Sequence, residues 1–264
     1  MKPIQQLSKN RMKFLTSLQT KKHREEEKLF VAEGPKIARE ILSTGKRIHS
    51  LYCLAGWLDS QNHHDIENLD ITVVSNDEMR KISTLVTPQE VLCVVHQFEH
   101  KLDEQSLNKN ISLALDGIQD PGNMGTILRL ADWFGIDTVL CSTGCVDVYN
   151  PKVVQASMGA LCRVNIHAVD LPSVLSCTPI SNGTPVYGTF LDGENIYTKD
   201  LSPAGIIVLG NEGNGISEAV AKRVTHRLHI PSFREGGAVE SLNVSVAAAI
   251  VCSEFARRNV ANTP

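Results

Sequence analysis

Three stretches of the chain place polar side chains among glycines: "DGIQDPGNMGTILR", "IVLGNEGNGIS" and "IPSFREGGAVESLNVSVAAAI". They supply Asn123 and Arg129, then Glu212, then Ser241 and Asn243. None holds a Ser/His/Asp arrangement, a Walker lysine or a carboxylate pair at hydrolase spacing, so any chemistry must be done with Asn, Arg, Glu and Ser. Each of these side chains also has a purely structural role open to it. Asn123 and Ser241 stand where helix N-caps are expected, Glu212 precedes a helix start, and Arg129 lies three residues from Asp132, the spacing of a helical ion pair. Gly117, Gly122 and Gly125 miss the G-x-G-x-x-G order of a dinucleotide site, which argues against an oxidoreductase of that class. His226 and His229 are three apart on a strand pattern and point to opposite faces, so no metal centre is expected.

The elements around these residues read as strands that run into loops and then helices. "ISLALDG", "GIIVLGN" and "HRLHIPS" are strand patterns, each followed by a glycine-containing loop and a helical pattern or its beginning, which predicts a parallel sheet. In such sheets ligands bind beyond the carboxyl ends of the strands, so the three loops are expected to converge on one pocket. The helix after Pro121 puts Met124, Ile127, Leu128, Ala131 and Phe134 on its buried side and Arg129 on the face shared with Gly122, Thr126 and Asp132. The last helix, expected from Ser241 to about Arg258, is small or apolar nearly all round and must be packed on several sides. A second copy of the chain is one way to cover it.

Further upstream, "EGPKIAREIL" reads as a helix, and "HSLYCLAG", "LDITVVS" and "EVLCVVHQF" as short buried strands. The sequence therefore predicts an α/β domain over residues 1–100, a polar linker over 101–110 ("KLDEQSLNKN"), and a second α/β domain over 111–264. No apolar run suits a membrane span, and the start "MKPIQQLSKNRMKF" lacks the apolar centre of a signal peptide, so the expected location is the cytoplasm. Seven cysteines without a C-x-x-C pair indicate neither a zinc site nor a disulfide framework. The net charge of −3 hides an asymmetry: Met1 to Lys28 holds eight Lys or Arg against three Glu, a surplus of five positive charges, which leaves −8 on the rest. Such a basic arm suits contact with a phosphate backbone, or a solvated helix face compensated by "REEEK".

Taken in order, the three stretches resemble motifs one, two and three of the SpoU family of RNA 2′-O-ribose methyltransferases (SPOUT superfamily, TrmH-like), over about 130 residues. "FVAEGPKIAREIL" and "VTPQEVLCVV" resemble the small substrate-binding domain that precedes the catalytic domain in many members. The resemblance implies an α/β fold: a small N-terminal substrate-binding domain, then a parallel-sheet catalytic domain ending in a deep trefoil knot. It also implies S-adenosylmethionine as methyl donor and a homodimer whose interface borders the site. Matched motif by motif, Asn123, Arg129, Glu212, Ser241 and Asn243 fall on the family's functional residues; for the methyl donor, the backbone and side chains around Thr189, Gly210, Ile230 and Leu242 are expected. On that footing Arg129 is expected to grip an RNA phosphate and orient the ribose hydroxyl, since arginine does not readily give up its proton to act as a base. Lys9, Arg11, Lys13, Lys21, Lys22 and Arg24 are expected to hold RNA without reading sequence. Ribosomal RNA is preferred over transfer RNA as the substrate. A non-catalytic RNA-binding protein on the same fold is the alternative, and it predicts erosion of polar motif residues that are here intact.

Overall fold

The β-branched and leucine-rich runs assemble into two sheets. In this computed structural model, which describes residues 7–177, 180, 182–234 and 241–261, the chain forms two compact units. One takes in the described residues up to Glu99 together with Asp147–Cys162, the other His100–Val146 and the described residues from Arg163 onward. Among the described residues no helix is long and apolar enough to cross a membrane.

The first unit carries a four-stranded sheet of β1 (Leu29–Glu33), β2 (Ile48–Cys53), β3 (Ile71–Val73) and β4 (Val91–His96), in the order β1-β4-β2-β3. The β1–β4 and β2–β4 pairs are antiparallel and β2–β3 is parallel. The helices Lys9–Ser17 and Asn76–Ile82 supply Leu15, Met79 and Ile82 to the core against Leu92 and Val94 of β4, with Leu18 just past the first helix. Asp147–Cys162 lies far along the chain yet belongs to this unit, although the sequence reading counts it in the second domain. Its attachment is specific. The Phe30 ring stacks at 4.8 Å on Tyr149, whose hydroxyl accepts the Phe98 amide at 2.8 Å.

Arg24 completes the attachment. Its guanidinium donates to Asp147 Oδ2 from Nε at 3.0 Å and from the terminal nitrogen at 2.6 Å, and its other end donates to the carbonyls of Leu18 and Gln19 at 2.9 and 2.8 Å. The residue is only 2% exposed. Arg24 therefore cannot serve as a phosphate contact, and the expectation for it is corrected: the side chain is buried and each nitrogen of its fork is already bonded within the protein.

The second unit is built on a six-stranded, all-parallel sheet of β5 (Ile111–Asp116), β6 (Thr138–Ser142), β7 (Asn165–Val169), β8 (Val186–Asn195), β9 (Gly205–Gly210) and β10 (His226–His229). The order is β10-β8-β9-β5-β6-β7. β5 and β9 are buried almost throughout, as the middle strands of a parallel sheet covered on both faces must be. From β5 the chain moves outward through β6 and β7 and returns on the other side, so the strand order reverses between β5 and β9, where α/β sheets open a crevice. The stretch read as a linker is not a bare connection. Glu104–Asn108 forms a 3₁₀ turn capped by Asp103, and Leu107 is fully buried in this unit's core, an anchor too short to show as periodicity.

The C-terminal helix Val244–Ala261 packs on the helix Pro121–Trp133. Near its end Glu254, 6% exposed, accepts from Arg257 at 2.8 and 2.9 Å and from Arg258 at 2.7 Å. Arg258 also donates to the carbonyls of Ile196, Tyr197 and Lys199. The Arg257 guanidinium first, then Arg258, holds the Glu254 carboxyl down from 4.5 to about 2.

Two outcomes are expected. Arg24→Ala strands Asp147 and two carbonyls and should lower unfolding free energy in urea by about 3–5 kcal/mol, against less than about 0.5 kcal/mol for Lys22→Ala. Because Glu254 has a depressed value when folded, its stabilisation is complete above the ordinary carboxylate range and is lost as pH falls from about 4.5 towards 2. Glu254→Gln should therefore flatten acid destabilisation within that window, measured by denaturation at a series of pH values.

Candidate functional site

The loops after β5 and β9 meet at the reversal of strand order. Gly117 follows β5 with φ of +70°, a conformation that glycine adopts without strain. Its N–H donates to Ser142 Oγ at 2.9 Å and its carbonyl accepts Asn211 Nδ2 at 2.7 Å. Asn211 organises the second loop. Its Oδ1 accepts the backbone N–H groups of Gly213 and Asn214 at 2.9 and 3.0 Å, and its own N–H and carbonyl pair with Gly215. Buried Asp116 accepts the Ser217 N–H at 2.8 Å, fixing the far end of the loop to β5. Between these two anchors Glu212 is displayed to solvent.

At Gly210, the last residue of β9, a methyl group would lie 2.3 Å from the Gly215 carbonyl carbon and 2.4 Å from the Ile216 nitrogen. The loop folds back onto the end of its own strand here, and only glycine fits.

Asp120 caps the helix Pro121–Trp133, its Oδ1 accepting the Asn123 N–H at 2.8 Å, with Pro121 preset at the first position. Asn123 is thus not the cap that its position suggested. Its side chain is free to bridge, donating from Nδ2 to Glu212 Oε1 at 2.9 Å and accepting at Oδ1 from Asn243 Nδ2 at 3.0 Å. Asn243, not Ser241, caps the C-terminal helix, with Oδ1 accepting from Ser245 N and Oγ and from Val246 N. The three polar loops are joined through one asparagine.

Arg129 is exposed and makes no hydrogen bond or ion pair among the described residues. Its competing partner is taken: Asp132 receives the Arg163 guanidinium in two bonds at 2.8 and 2.7 Å. Helical side chains lean toward the N-terminus, so Arg129 is aimed over Thr126 toward the end of the helix that carries Asn123. An exposed guanidinium on the helix that also supplies Asn123 to the fixed amide and carboxylate network can hold a phosphate.

Residues 110–253 match the SpoU rRNA Methylase family model. The chain belongs to the SpoU family. Residues 9–93 match the model of an MRM3-like substrate binding domain. The chain is 30% identical over 253 residues to the 23S rRNA (guanosine(2553)-2′-O)-methyltransferase RlmP of Bacillus subtilis, covering 95% of this chain and 98% of that one. Among solved structures it is similar to a protein of the TrmH family from Porphyromonas gingivalis, at 43% identity and a TM-score of 0.85, covering 96% and 100% of the two chains. An AdoMet-bound rRNA methyltransferase from Sinorhizobium meliloti aligns at 26% identity with a TM-score of 0.83, covering 97% of each.

In this SpoU chain the described part of motif three brings Asn243 into the network, whereas Ser241 makes no hydrogen bond among the described residues and is exposed; residues 235–240 of that motif lie outside the described residues. Of the residues matched to the methyl donor, Gly210 and Ile230 sit at or just past the carboxyl ends of β9 and β10. Half-buried Thr189 sits where the pairing of β8 with β10 jumps from Gly188 to Glu194, its Oγ1 donating to the Val208 carbonyl at 3.5 Å. Leu242 is 48% exposed. Asp116, Asp120, Ser142 and Asn211 were not anticipated. Asn before E-G-N-G is a signal for a side-chain-closed turn, and Asp before Pro-Gly for a capped helix start, and both were legible.

In the basic arm, Lys9 and Lys13 are exposed, and Lys21 and Lys22 are exposed partners of Glu25 and Glu26 at one-turn spacing. Such pairs are weak and leave both lysines available. Arg11 is bound at 3.1 Å to Asp70 and at 2.5 Å to Thr72.

Replacing Asn211 by Ala should free the Gly213 and Asn214 amides to exchange with solvent, by about tenfold or more for loss of a bond worth about 1.5 kcal/mol. Asn211→Asp should keep both amides protected while losing the donor to Gly117, a contrast readable by hydrogen exchange.

Proposed function

We propose that the protein is an S-adenosylmethionine-dependent RNA methyltransferase that modifies a ribose 2′-hydroxyl, with ribosomal RNA as its substrate class and the cytoplasm as its place of action. The carrying observation is an exposed Arg129, unpaired among the described residues, on the helix whose first turn supplies Asn123 to a network already holding Glu212 and Asn243. The RlmP name, which specifies a ribose 2′-O reaction on 23S rRNA, supports both the reaction and the substrate.

The residues matched to the cofactor suit its chemistry. Ile230 and Leu242 offer apolar surface for a heterocycle, while backbone groups of the loop after Gly210 and the Thr189 hydroxyl offer hydrogen bonds for polar edges. When bound, S-adenosylmethionine supplies an electrophilic methyl group. The protein's task is to aim an oxygen at it. Arg129 grips the phosphate next to the target ribose through its fork and stabilises negative charge developing on the 2′-oxygen, while the proton leaves to phosphate or water. Asn123, Asn243 and Glu212 keep the ribose in register, with Ser241 at the mouth of the third loop. The resemblance to the SpoU motifs supports a chain threaded into a trefoil knot, and Leu242 and Val246, both nearly half exposed, support a homodimer that covers this end of the last helix.

The test is incubation with methyl-labelled S-adenosylmethionine and unmodified ribosomal RNA, followed by digestion to nucleosides. A labelled 2′-O-methyl nucleoside is expected; label on a base overturns the ribose reaction. Arg129→Ala and Arg129→Lys should each lower kcat by about 10²- to 10³-fold with cofactor affinity unchanged, because a point charge cannot replace the fork. Near-normal turnover in either variant would remove Arg129 from this role.

A further inference from the structure

The first unit holds a cleft of about 460 Å³, lined by Gln19, Thr84, Leu85, Asn150, Lys152 and Gln155, with Pro151 and Ala156 completing one wall. That volume lies within the range of sites that enclose small organic molecules. Neither wall is an accident of loose loops. Glu33, 5% exposed, accepts the Thr84 N–H at 2.8 Å and the hydroxyls of Ser83 and Thr84, which fixes the rim that carries Leu85. Across the cleft, Arg24 holds Asp147 and Tyr149 stacks on Phe30, which fixes the segment that leads into Asn150 and the helix Pro151–Ser157.

Apart from Thr84, whose hydroxyl is spent on Glu33, the side chains that face this space keep hydrogen-bonding groups to spare. The Gln19 and Gln155 carboxamides and the Lys152 ammonium make no side-chain hydrogen bond or ion pair among the described residues. Asn150 spends only its Oδ1, on the Lys152 N–H at 2.9 Å, which leaves its two amide N–H donors. No carboxylate lines the cleft. A carboxamide both donates and accepts, as the edges of nucleobases do, and glutamine and asparagine pair with base edges for that reason. Leu85, Pro151 and Ala156 provide apolar surface for the faces of a base, and Lys152 a cation for its phosphate.

We propose that this cleft receives one unpaired nucleotide of the substrate RNA, its base edge read by Gln19, Asn150 and Gln155 and its phosphate held by Lys152. The inference rests on the reading of the protein as an RNA methyltransferase and adds where base discrimination occurs. A base inside an A-form duplex presents its edges in a groove too deep and narrow for side chains, so sequence is read from unstacked bases. The cleft is therefore a reader of loops, bulges or strand ends, distinct in task from the exposed lysines of the arm. It is also composite. Gln19 and the Thr84–Leu85 rim lie within the match to the substrate-binding domain, but Asn150, Lys152 and Gln155 lie within the match to the methylase family, so the first match alone holds half a site.

The test uses the full chain and fluorescein-labelled RNA probes, single-stranded A6, C6 and U6 and a hairpin duplex without unpaired bases beyond its loop closure, followed by anisotropy. Lys152→Ala should weaken all three single strands about fivefold and reduce the salt slope by about one. Gln155→Leu, close in volume, should weaken them by about tenfold for the preferred base and less for the others, with the duplex unchanged for both variants. Unaltered single-strand affinity in both variants, or an equal loss on the duplex, overturns the proposal. The same variants assayed for methyl transfer separate it from the reading on which it rests. Loss of base-dependent binding in Gln155→Leu, together with no methyl transfer to ribosomal RNA by the wild-type protein, keeps the cleft and sinks the methyltransferase reading. Transfer with KM unchanged in Gln155→Leu and Lys152→Ala sinks the cleft and keeps that reading.

Discussion

The second unit depends on the direction of one amide. Asn243 must turn its Oδ1 to the N–H groups that open the last helix, so its Nδ2 faces outward. Asn123 must then present Oδ1 to it and Nδ2 to Glu212, whose Oε1 accepts. The chain of donors has a single consistent orientation, anchored at one end by a helix start and at the other by a carboxylate. Each bond alone is worth about 1 kcal/mol, and their effect lies in specifying geometry rather than in adding stability.

That relay forms only because of where the sheet reverses. β5 and β9 are neighbours although nearly ninety residues separate them in the chain, and the crevice beyond their ends collects the loops that follow each. Asn211 and Asp116 spend their side chains on backbone groups, which leaves Glu212 projecting from a turn that cannot drift. The occupation of Asp132 by Arg163 is part of the same arrangement, because it leaves the Arg129 guanidinium without a partner among the described residues. A cation kept unpaired beside a preorganised polar network has its charge available for a ligand.

In the first unit the same residue type has the opposite fate. Arg24 is buried with every arm of its fork engaged, and it ties Asp147 to the helices that carry the basic arm. Removing such a charge from water is tolerable only with acceptors supplied on several sides, and those acceptors are two backbone carbonyls at a helix end and one carboxylate. The arm's positive charge is thus divided between structure, in Arg24 and partly Arg11, and solvent-facing lysines.

The periodic elements were legible in the sequence: the apolar runs of β2, β4, β5 and β9, the helix after Pro121 and the all-round apolar last helix obey local rules of spacing that survive without any tertiary context. The polar residues Asn123, Arg129, Glu212 and Asn243 stood out through the resemblance to the three SpoU motifs, each with a structural role also open to it. What the chain order could not convey was which of two competing bonds each would make. Asn123 was free to cap or to bridge, and Asp120 decided it by capping first; Ser241 and Asn243 competed for one helix start, and Asn243 took it. Arg24 and Arg129 look alike as isolated residues, and a sequence gives no sign that Asp147 waits for one while Arg163 has taken the other's partner. Local propensity is a property of neighbours in sequence, but a hydrogen-bond partner is a property of neighbours in space, and only the folded sheet brought those together.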